Sequence, residues 1–546
     1  MAKRFGVMLD FSRNAVMKPE KLKEYADLLR KMGYNMLMPY TEDTFEIPEE
    51  PYFGYLRGRY TQEELRDLSE YCHSIGMEVI PAIQTLAHLS TIFRWGAFSS
   101  VHDTGPILLA EEEKTYDLIR RMFAACRSAY PYSTVINIGM DEAMGLGLGA
   151  YLGKHGLVPA HEILLRHLAR VVEIAKEFDF EPIMWSDMFF RLEHGGDYER
   201  LNTPEEVALR EEVVSLCPED VSQVFWRYDS LTEEGYRNMM REHRRFPGES
   251  WFAGCVRTWT TIPGNNRFSL NCMLPAMDAC VKENVENIFM TMWGNDGNYC
   301  SYFAMLPSLY AVRRHYDGVK DMEQIKAEFR QITGDGFDDM MMMDLTGNYG
   351  NNLRYSDDTH HKYMLFSDPF LGFQDVLTCP EAKENYVNYA PRLEALAEKG
   401  TRFAYLYRNM ANFCRVMEIK YDLGVRTREA YKKKDMAELQ ALVGDYRTTA
   451  DRVDAYADSM RVIWHEENRA HGFEVHEQRF GGLAYRLRSL ANRLEAFLRG
   501  EVTELDELDE VLLPYWSPTR AEPYTGEGIQ PSILQGWSSC ITVNPI

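Results

Sequence analysis

Acidic side chains stand at the ends of several short apolar runs in the first 300 residues. The adjacent pair Asp141 and Glu142 closes the run Val-Ile-Asn-Ile-Gly-Met, and Asp187 closes the run around Trp185. Two carboxylates at one site can divide general-acid and electrostatic work between them. An apolar run has no reason to end on two buried charges unless a ligand or a reaction uses them. The pair is therefore the first candidate for chemistry.

Four of the nine tryptophans stand at similar places, next to polar side chains. They are Trp185, Trp226, Trp259 and Trp293. Indole faces can stack on the apolar C–H faces of pyranose rings, while Asp, Arg and His side chains bind sugar hydroxyls. A single tryptophan of this kind would more often belong to the core, but four of them favour a sugar-binding cup.

Asp141 and Glu142 can face one substrate only if the chain turns at the strand end. Neighbouring side chains of a regular strand point to opposite faces, so a straight strand would separate them. Gly139 before the pair and Gly145 after it provide permissive backbone for a turn. The alternative interpretation is that one acid pairs with a basic side chain while the other is solvated.

The elements that position these residues repeat one pattern, a short apolar run followed by an amphipathic stretch. Strands are predicted at residues 4–10, 36–41, 78–85, 135–142, 181–188, 222–228, 250–257 and 287–294. Their near-continuous apolar character is typical of parallel strands buried on both faces. Helices are predicted between them at residues 19–32, 61–75, 113–130, 160–178, 232–244 and 270–283. Eight such units predict an α/β protein of the (β/α)8 (TIM) barrel type.

The pattern changes after about residue 320, where strand signals fade. Long, charge-rich segments with helical periodicity follow at residues 380–399, 401–423, 436–468 and 475–499. We therefore predict a barrel domain at residues 1–320 and a mainly α-helical C-terminal domain at residues 321–546. Segments 346–372 and 513–546 are rich in Gly, Pro, Asn and Ser and are predicted as loops or an extended tail.

Composition narrows the classes of partner. The chain has 60 basic and 83 acidic residues, a formal net charge of −23, so nucleic acid and anionic membrane surfaces are poor partners. No apolar run approaches 18 residues, and the first residues lack the apolar core of a signal peptide, which predicts a cytoplasmic protein. The ten cysteines include no Cys-x-x-Cys pair and are predicted to be reduced.

The motif around the acidic pair resembles a known family. Asn137-Ile-Gly-Met-Asp-Glu-Ala143 is similar to the His-x-Gly-Gly-Asp-Glu motif of glycoside hydrolase family 20, the β-N-acetylhexosaminidases. The segments LDFSRNAVM, PAIQTLAHL, MDEAMGLGLG and TMWGNDG resemble the bacterial branch that begins with the barrel and carries a helical C-terminal domain. Together they cover the predicted barrel.

The resemblance implies an exo-acting, retaining hydrolase with no enzyme nucleophile. The substrate's 2-acetamido oxygen would attack the anomeric carbon and form an oxazolinium intermediate. Asp141 would orient the acetamido group, and Glu142 would protonate the leaving oxygen and then activate water. The implied partner is an oligosaccharide or glycoconjugate with a terminal GlcNAc or GalNAc. No cofactor and no metal are implied.

The resemblance also implies binding roles. Arg13 matches the arginine that holds the 3- and 4-hydroxyls, and His88 matches a supporting histidine near the acid, although a purely structural His88 remains an alternative. Trp185, Trp226 and Trp293 match the aromatic walls around the acetamido methyl and the ring. The binding residues Asp187, Tyr228, Trp259 and Asp296 complete the predicted site, with Tyr228 expected to bind the acetamido group and Asp296 the outer hydroxyls.

Three residues depart from the family pattern. Asn137 replaces the motif's His, Met140 replaces its second Gly, and Met144 stands where the bacterial branch is expected to have His. These departures leave the Asp-Glu chemistry intact but put the sugar preference in doubt.

Other functions stay open at this point. Asp141, Glu142, Asp187 and His88 form a set that could bind a divalent metal, but no His-x-His or Glu-x-x-His spacing supports it. A different barrel glycosidase and a non-catalytic carbohydrate-binding barrel are further alternatives. The helical domain offers enough surface for a homodimer.

Overall fold

The computed structural model describes residues 2–196, 198, 201–347, 360–372, 374, 375 and 378–512. These residues fall into two compact units. Unit 1 comprises Met1–Val256, Ser269–Trp293 and Ser308–Asp321, and unit 2 comprises Arg257–Phe268, Gly294–Pro307 and Met322–Ile546. The domain boundary at residue 320 stays a prediction of the sequence.

Eight parallel strands of unit 1 form a barrel. They are β1 (Arg4–Asp10), β2 (Met36–Tyr40), β3 (Glu78–Val79), β4 (Val135–Asn137), β5 (Glu181–Trp185), β6 (Ser222–Trp226), β7 (Trp251–Cys255) and β8 (Asn287–Met292). Their order is β3-β2-β1-β8-β7-β6-β5-β4. A bridge between Ala82 and Asn137 joins the two ends of this order. The predicted (β/α)8 fold class is confirmed.

All the strands except β1 are shorter at their carboxyl ends than the sequence indicated. β3 ends at Val79 rather than at residue 85, since Pro81 has no N–H for a ladder bond. β4 ends at Asn137 rather than at residue 142, because the chain turns at Gly139. β5 ends at Trp185, and a helix begins at Asp187 within the predicted strand. Buried turns retain apolar side chains, so composition alone extends the strands into them.

The helices of the first 320 residues alternate with the strands. They are α1 (Pro19–Lys31), α2 (Gln62–Ser74), α3 (Glu113–Ala129), α4 (Ala150–His155), α5 (Ala160–Glu177), α6 (Asp187–His194), α7 (Pro204–Val207), α8 (Glu211–Ser215), α9 (Glu233–His243), α10 (Asn266–Lys282) and α11 (Leu306–Tyr316). The six predicted helices are present, and their ends agree with the prediction to within four residues. The short helices α4, α6, α7 and α8 were not predicted, although Thr203, Pro204 and Glu206 form a capping-box start for α7.

The remaining chain is helical in its described part. Its helices are α12 (Met322–Thr333), α13 (Phe337–Met341), α14 (His360–Phe366), α15 (Pro380–Glu398), α16 (Ala404–Lys420), α17 (Leu423–Lys433), α18 (Met436–Glu467), α19 (Glu474–Leu498) and α20 (Asp506–Asp509). None of the described helices is long and apolar enough to span a bilayer. The nine cysteines in the described residues are free and buried, and Cys540 lies outside them.

The prediction of a loop at residues 346–372 is wrong where it meets α14. All seven residues of α14 are buried, so the segment lacks the polar face whose periodicity identifies a helix. Residues 348–359 and the predicted tail at 513–546 lie outside the described residues.

The barrel interior is filled by side chains of all eight strands or their immediate continuations. The core cluster contains Met8, Met36, Met38, Tyr40, Ile80, Ala82, Val135, Ile183, Trp185, Val224, Trp251, Ala253 and Phe289, and Trp226 and Trp293 pack against it. The barrel is therefore solid, and a substrate can reach only the ends of the strands.

Helix α2 provides a test of the local sequence signals. Thr61 accepts a hydrogen bond from the Glu64 N–H at 3.1 Å, and Glu64 accepts one from the Thr61 N–H at 2.8 Å, which together form a capping box. Thr61→Ala should destabilise the protein by about 1 kcal/mol. Thr61→Ser keeps the accepting oxygen and is the matched control. Thermal unfolding should give a lower Tm for the alanine variant alone.

Candidate active site

The chain turns sharply between β4 and the acidic pair. Gly139, Met140 and Glu142 adopt positive φ angles of 73°, 72° and 50°. A Cβ atom at Gly139 would overlap the side chain of Gln84, so this position needs glycine for both conformation and space. The turn brings both Asp141 and Glu142 to the same place, as their proposed joint use requires.

The Gln84 amide fixes this turn. Its Oε1 accepts a hydrogen bond from the Met140 N–H at 3.1 Å. Its Nε2 donates to Asp141 Oδ1 at 2.6 Å and to the Tyr40 hydroxyl at 2.8 Å. One fully buried side chain therefore sets the backbone of the turn and orients the Asp141 carboxylate.

His88 lies between the two acids. Its Nε2 is 3.2 Å from Asp141 Oδ2 and 3.6 Å from Glu142 Oε2. Burial disfavours the imidazolium, but the Asp141 charge outweighs it and raises the pKa of His88 to about 9. Burial likewise opposes ionisation of Asp141, yet His88 and Gln84 hold the pKa of Asp141 below its ordinary value. At neutral pH the pair is an imidazolium and a carboxylate.

Asp187 and Arg191 support the other side of the pair. Asp187 Oδ2 accepts hydrogen bonds from the Glu142 N–H at 3.1 Å and from Arg191 Nε at 2.8 Å. Arg191 Nη2 also lies 3.6 Å from Glu142 Oε1. Burial and the Asp141 charge raise the pKa of Asp187 to about 7, although Arg191 opposes them. The Oδ2 atom of Asp187 thus positions the backbone of Glu142, and the substrate-binding role of Asp187 stays a prediction.

Arg13 lies in an acidic surround at the ends of β1 and β2. Its guanidinium is 3.6 Å from Asp10 Oδ2 and 3.7 Å from Glu42 Oε1. Glu42 Oε1 also accepts a hydrogen bond from the Tyr40 hydroxyl at 3.0 Å. Burial raises the pKa of Glu42 to about 7 against the opposing charge of Arg13. A continuous set of polar contacts therefore links Arg13, through Glu42, Tyr40 and Gln84, to Asp141.

Aromatic side chains line the same end of the barrel. The Trp185 and Trp293 ring centroids are 6.0 Å apart, and the Trp293 ring meets Tyr40 edge-on at 4.9 Å. Trp293 Nε1 donates to the Tyr228 hydroxyl at 3.2 Å, and the Tyr228 ring lies 5.2 Å from Trp226. Trp185 is almost completely buried in the core cluster, so it underlies the other rings.

Two predicted site residues, Trp259 and Asp296, lie in unit 2. The Arg257 guanidinium lies over the Trp259 ring at 5.2 Å. Asp296 forms ion pairs with Lys362 and with Arg479, the latter at 3.3 Å. Asp296 is thus matched by two cations of its own unit, and its role in binding outer hydroxyls stays a prediction.

Comparison with known proteins supplies an independent observation. Residues 335–526 match the family model of the Glycoside Hydrolase 20C C-terminal domain. Hexosaminidase D of Homo sapiens is 25% identical over 316 residues, which are 54% of this chain and 61% of that protein. Hexosaminidase D of Bos taurus is 23% identical over 309 residues, 52% of this chain and 83% of that protein. The resemblance to glycoside hydrolase family 20 is confirmed.

A solved structure shows a more distant likeness. The exo β-N-acetylglucosaminidase of Vibrio harveyi, a family 20 enzyme, aligns with a TM-score of 0.46 at 16% identity over 62% of this chain and 58% of that one. The present chain therefore spans less than two thirds of the length of the Vibrio harveyi enzyme and of human hexosaminidase D.

Part of the alternative metal set is also brought together. Potential ligand atoms of His88, Asp141 and Glu142 lie within 4.8 Å of one another. Among the described residues, this is the group of three that could hold a metal ion. The fourth predicted ligand, Asp187, is not in this group. A histidine binds a metal ion as the neutral imidazole. A metal ion at this group would therefore have to displace the proton that Asp141 stabilises on His88.

Gln84, Tyr40, Glu42 and Arg191 were not predicted as site residues. Glu42 follows β2, whose end the sequence placed within one residue, and Gln84 stands near the end of the predicted third strand, so strand-end polarity was an available signal for both. Arg191 stands four residues after Asp187, the spacing of an ion pair on a helix. The predicted extension of β5 to residue 188 concealed that spacing.

The raised pKa of His88 predicts a pH-dependent contribution to stability. The His88–Asp141 pair stabilises the fold fully below the ordinary histidine pKa of about 6.5, and this stabilisation is lost as pH rises through about 9. The Tm difference between the unaltered protein and His88→Gln should be largest near pH 6 and decrease towards pH 10.

His167→Gln is the matched control for thermal unfolding from about pH 7.5 to pH 10. Burial lowers the pKa of His167 to about 4, so its contribution does not change above pH 7. A Tm difference for His88→Gln that is as constant as that of the control would contradict the His88–Asp141 assignment.

Proposed function

We propose that this chain is an exo-acting β-N-acetylhexosaminidase that releases terminal GlcNAc or GalNAc with retention, by substrate-assisted catalysis. The observation that carries the proposal is the contact of one imidazolium, that of His88, with both Asp141 and Glu142. The named relatives, both called hexosaminidase D, support the same class of substrate.

The position of His88 bears on the nucleophile. A retaining glycosidase with an enzyme nucleophile holds two carboxyl groups about 5 Å apart on opposite sides of the scissile bond. Here the two carboxylates are neighbours in sequence and share a histidine that fills the space between them. Adjacent acids that contact one histidine would face a sugar from the same side, an arrangement that favours the substrate's own acetamido oxygen as the nucleophile.

The two acids are suited to different tasks. Asp141 is buried and ionised, with Gln84 and His88 fixing both of its oxygens, so it can orient the acetamido N–H and stabilise positive charge as the ring closes. The Glu142 side chain is 38% exposed and is not held by Gln84, which leaves it accessible to the leaving oxygen and then to water. Asp141 is thus the stabiliser and Glu142 the general acid and base.

The other residues would bind the sugar. The Arg13 guanidinium is partly exposed and held in place by Asp10 and Glu42, so its remaining donors can bind ring hydroxyls. Trp226, Trp293 and Tyr228 provide aromatic walls above the buried Trp185. The bacterial branch, the cytoplasmic location and the homodimer stay predictions of the sequence.

Glu142→Gln tests the general acid. Hydrolysis of an N-acetylhexosamine disaccharide should fall on the order of 10²–10⁴-fold, because nothing protonates the departing oxygen. An aryl glycoside with a good leaving group should lose less. Glu177→Gln, which alters an acid paired with Arg120 at the end of α5, just before β5 begins, is the matched control. Near-normal cleavage of the disaccharide by the Glu142 variant would exclude this role.

A cyclic inhibitor tests the acetamido nucleophile. A thiazoline fused to N-acetylglucosamine mimics the oxazolinium intermediate and should bind far more tightly than the free sugar, because active sites favour species that resemble the transition state. Isothermal titration with both ligands measures the ratio. Asp141→Asn should remove most of the difference. A thiazoline no tighter than free N-acetylglucosamine or N-acetylgalactosamine would rule out substrate assistance, even for an active glycosidase.

A further inference from the structure

Three aromatic side chains form an exposed cluster on two loops of unit 1. Tyr52 and Tyr55 are 46% and 44% exposed, and Trp95 is half-buried. The Tyr52 and Tyr55 rings lie 5.7 Å and 5.3 Å from the Trp95 ring, and 5.8 Å from each other. Exposed apolar ring surface of this kind is unfavourable in contact with water, and a bound ligand would cover it. We call these three residues the aromatic platform.

The platform rests on buried contacts. Phe53, between the two tyrosines in sequence, is completely buried and packs against Phe45 at 5.1 Å and Phe98 at 6.3 Å. Phe98 follows Trp95 on the second loop. The same contact therefore joins both loops beneath the platform, so its three rings are held in place before any ligand arrives.

The platform belongs to the catalytic end of the barrel. Its two loops follow β2 and β3, neighbouring strands, and so leave the barrel at the carboxyl ends that carry the acidic pair. Arg57, two residues after Tyr55, donates to the carbonyl oxygen of Ser12, the neighbour of Arg13. The tyrosine loop is thereby attached directly to the Arg13 segment.

Trp95 is similarly close to His88. The Ile92 N–H donates to Leu89 O and the Trp95 N–H donates to Ile92 O, two successive turns. Each turn spans less than about 7 Å between Cα atoms, which places Trp95 within roughly 14 Å of Leu89, the residue after His88. The platform thus lies a short distance outside the candidate active site.

We propose that the aromatic platform binds a pyranose ring of the glycan on the leaving-group side of the scissile bond. This inference rests on the proposed function and adds a second sugar-binding surface to it. Two tyrosines and a tryptophan combine flat apolar faces with peripheral O–H and N–H groups, which match a sugar's C–H face and hydroxyls. Leu56 is the one exposed aliphatic residue beside them, which disfavours a lipid chain.

Steady-state kinetics on two substrates test the proposal. The 4-nitrophenyl glycoside of N-acetylglucosamine has no sugar on the leaving-group side, whereas a β-linked trisaccharide of N-acetylglucosamine has two. For Trp95→Ala and for Tyr55→Ala, the ratio of kcat/KM on the trisaccharide to that on the aryl glycoside should fall about ten-fold, the equivalent of roughly 1.4 kcal/mol of binding. Trp95→Phe keeps a ring and should retain most of the ratio.

Tyr132→Ala is the matched control. Tyr132 is 48% exposed and stacks on His73, but it precedes β4 and so lies at the opposite end of the barrel. Its ratio should stay unchanged. Equal losses on both substrates, an unchanged ratio in the platform variants, or failure of the unaltered protein to cleave the trisaccharide would each overturn the platform. Failure to cleave the 4-nitrophenyl glycosides of both N-acetylglucosamine and N-acetylgalactosamine would instead overturn the proposed function.

Discussion

The side-chain amide of Gln84 binds three groups on two segments of the barrel, and the geometry of the acidic pair depends on all three bonds. Its oxygen holds the left-handed turn at Met140, while its nitrogen holds Asp141 and Tyr40. A turn with positive φ at consecutive residues is costly for residues other than glycine, so it persists only where surrounding contacts determine it. Gly139 makes room for this amide, and the amide in turn fixes the carboxylate.

Four of the buried acids at this end of the barrel lie at the acidic pair and around Arg13, namely Asp10, Glu42, Asp141 and Asp187. Arg13, His88 and Arg191 face them within 4 Å. Burying a charge is expensive unless a partner compensates for it, and removing one partner leaves the other uncompensated. The site is therefore a balanced set rather than a collection of independent residues. The acidic and basic side chains of this set nearly balance, whereas the whole chain has a strongly negative net charge.

The fold and the place of the site could be predicted from the sequence because strands buried on both faces leave continuous apolar runs. The bounds of β1 agree at both ends, and the acidic pair identified the catalytic end. Contacts formed by turns were not accessible, since a buried turn has the composition of a strand. Arg191 was missed because its partner Asp187 lay in a segment that was predicted as strand. Helix α14 was missed because it is buried on all sides and so lacks an exposed polar face. The substrate-binding roles of the individual residues stay predictions.

The closure of the barrel has a consequence for its motions. β3 has two residues and β4 has three, and their segments are joined by the Ala82–Asn137 bridge and backbone hydrogen bonds at Ile83, Asn137 and Thr85. β1 and β8, by contrast, pair over six residues. Local opening requires less free energy where fewer ladder bonds must break, so amide protons exchange with solvent sooner at this seam than along β1. This seam lies directly beneath Asp141 and Glu142, so its local opening would reach the acidic pair.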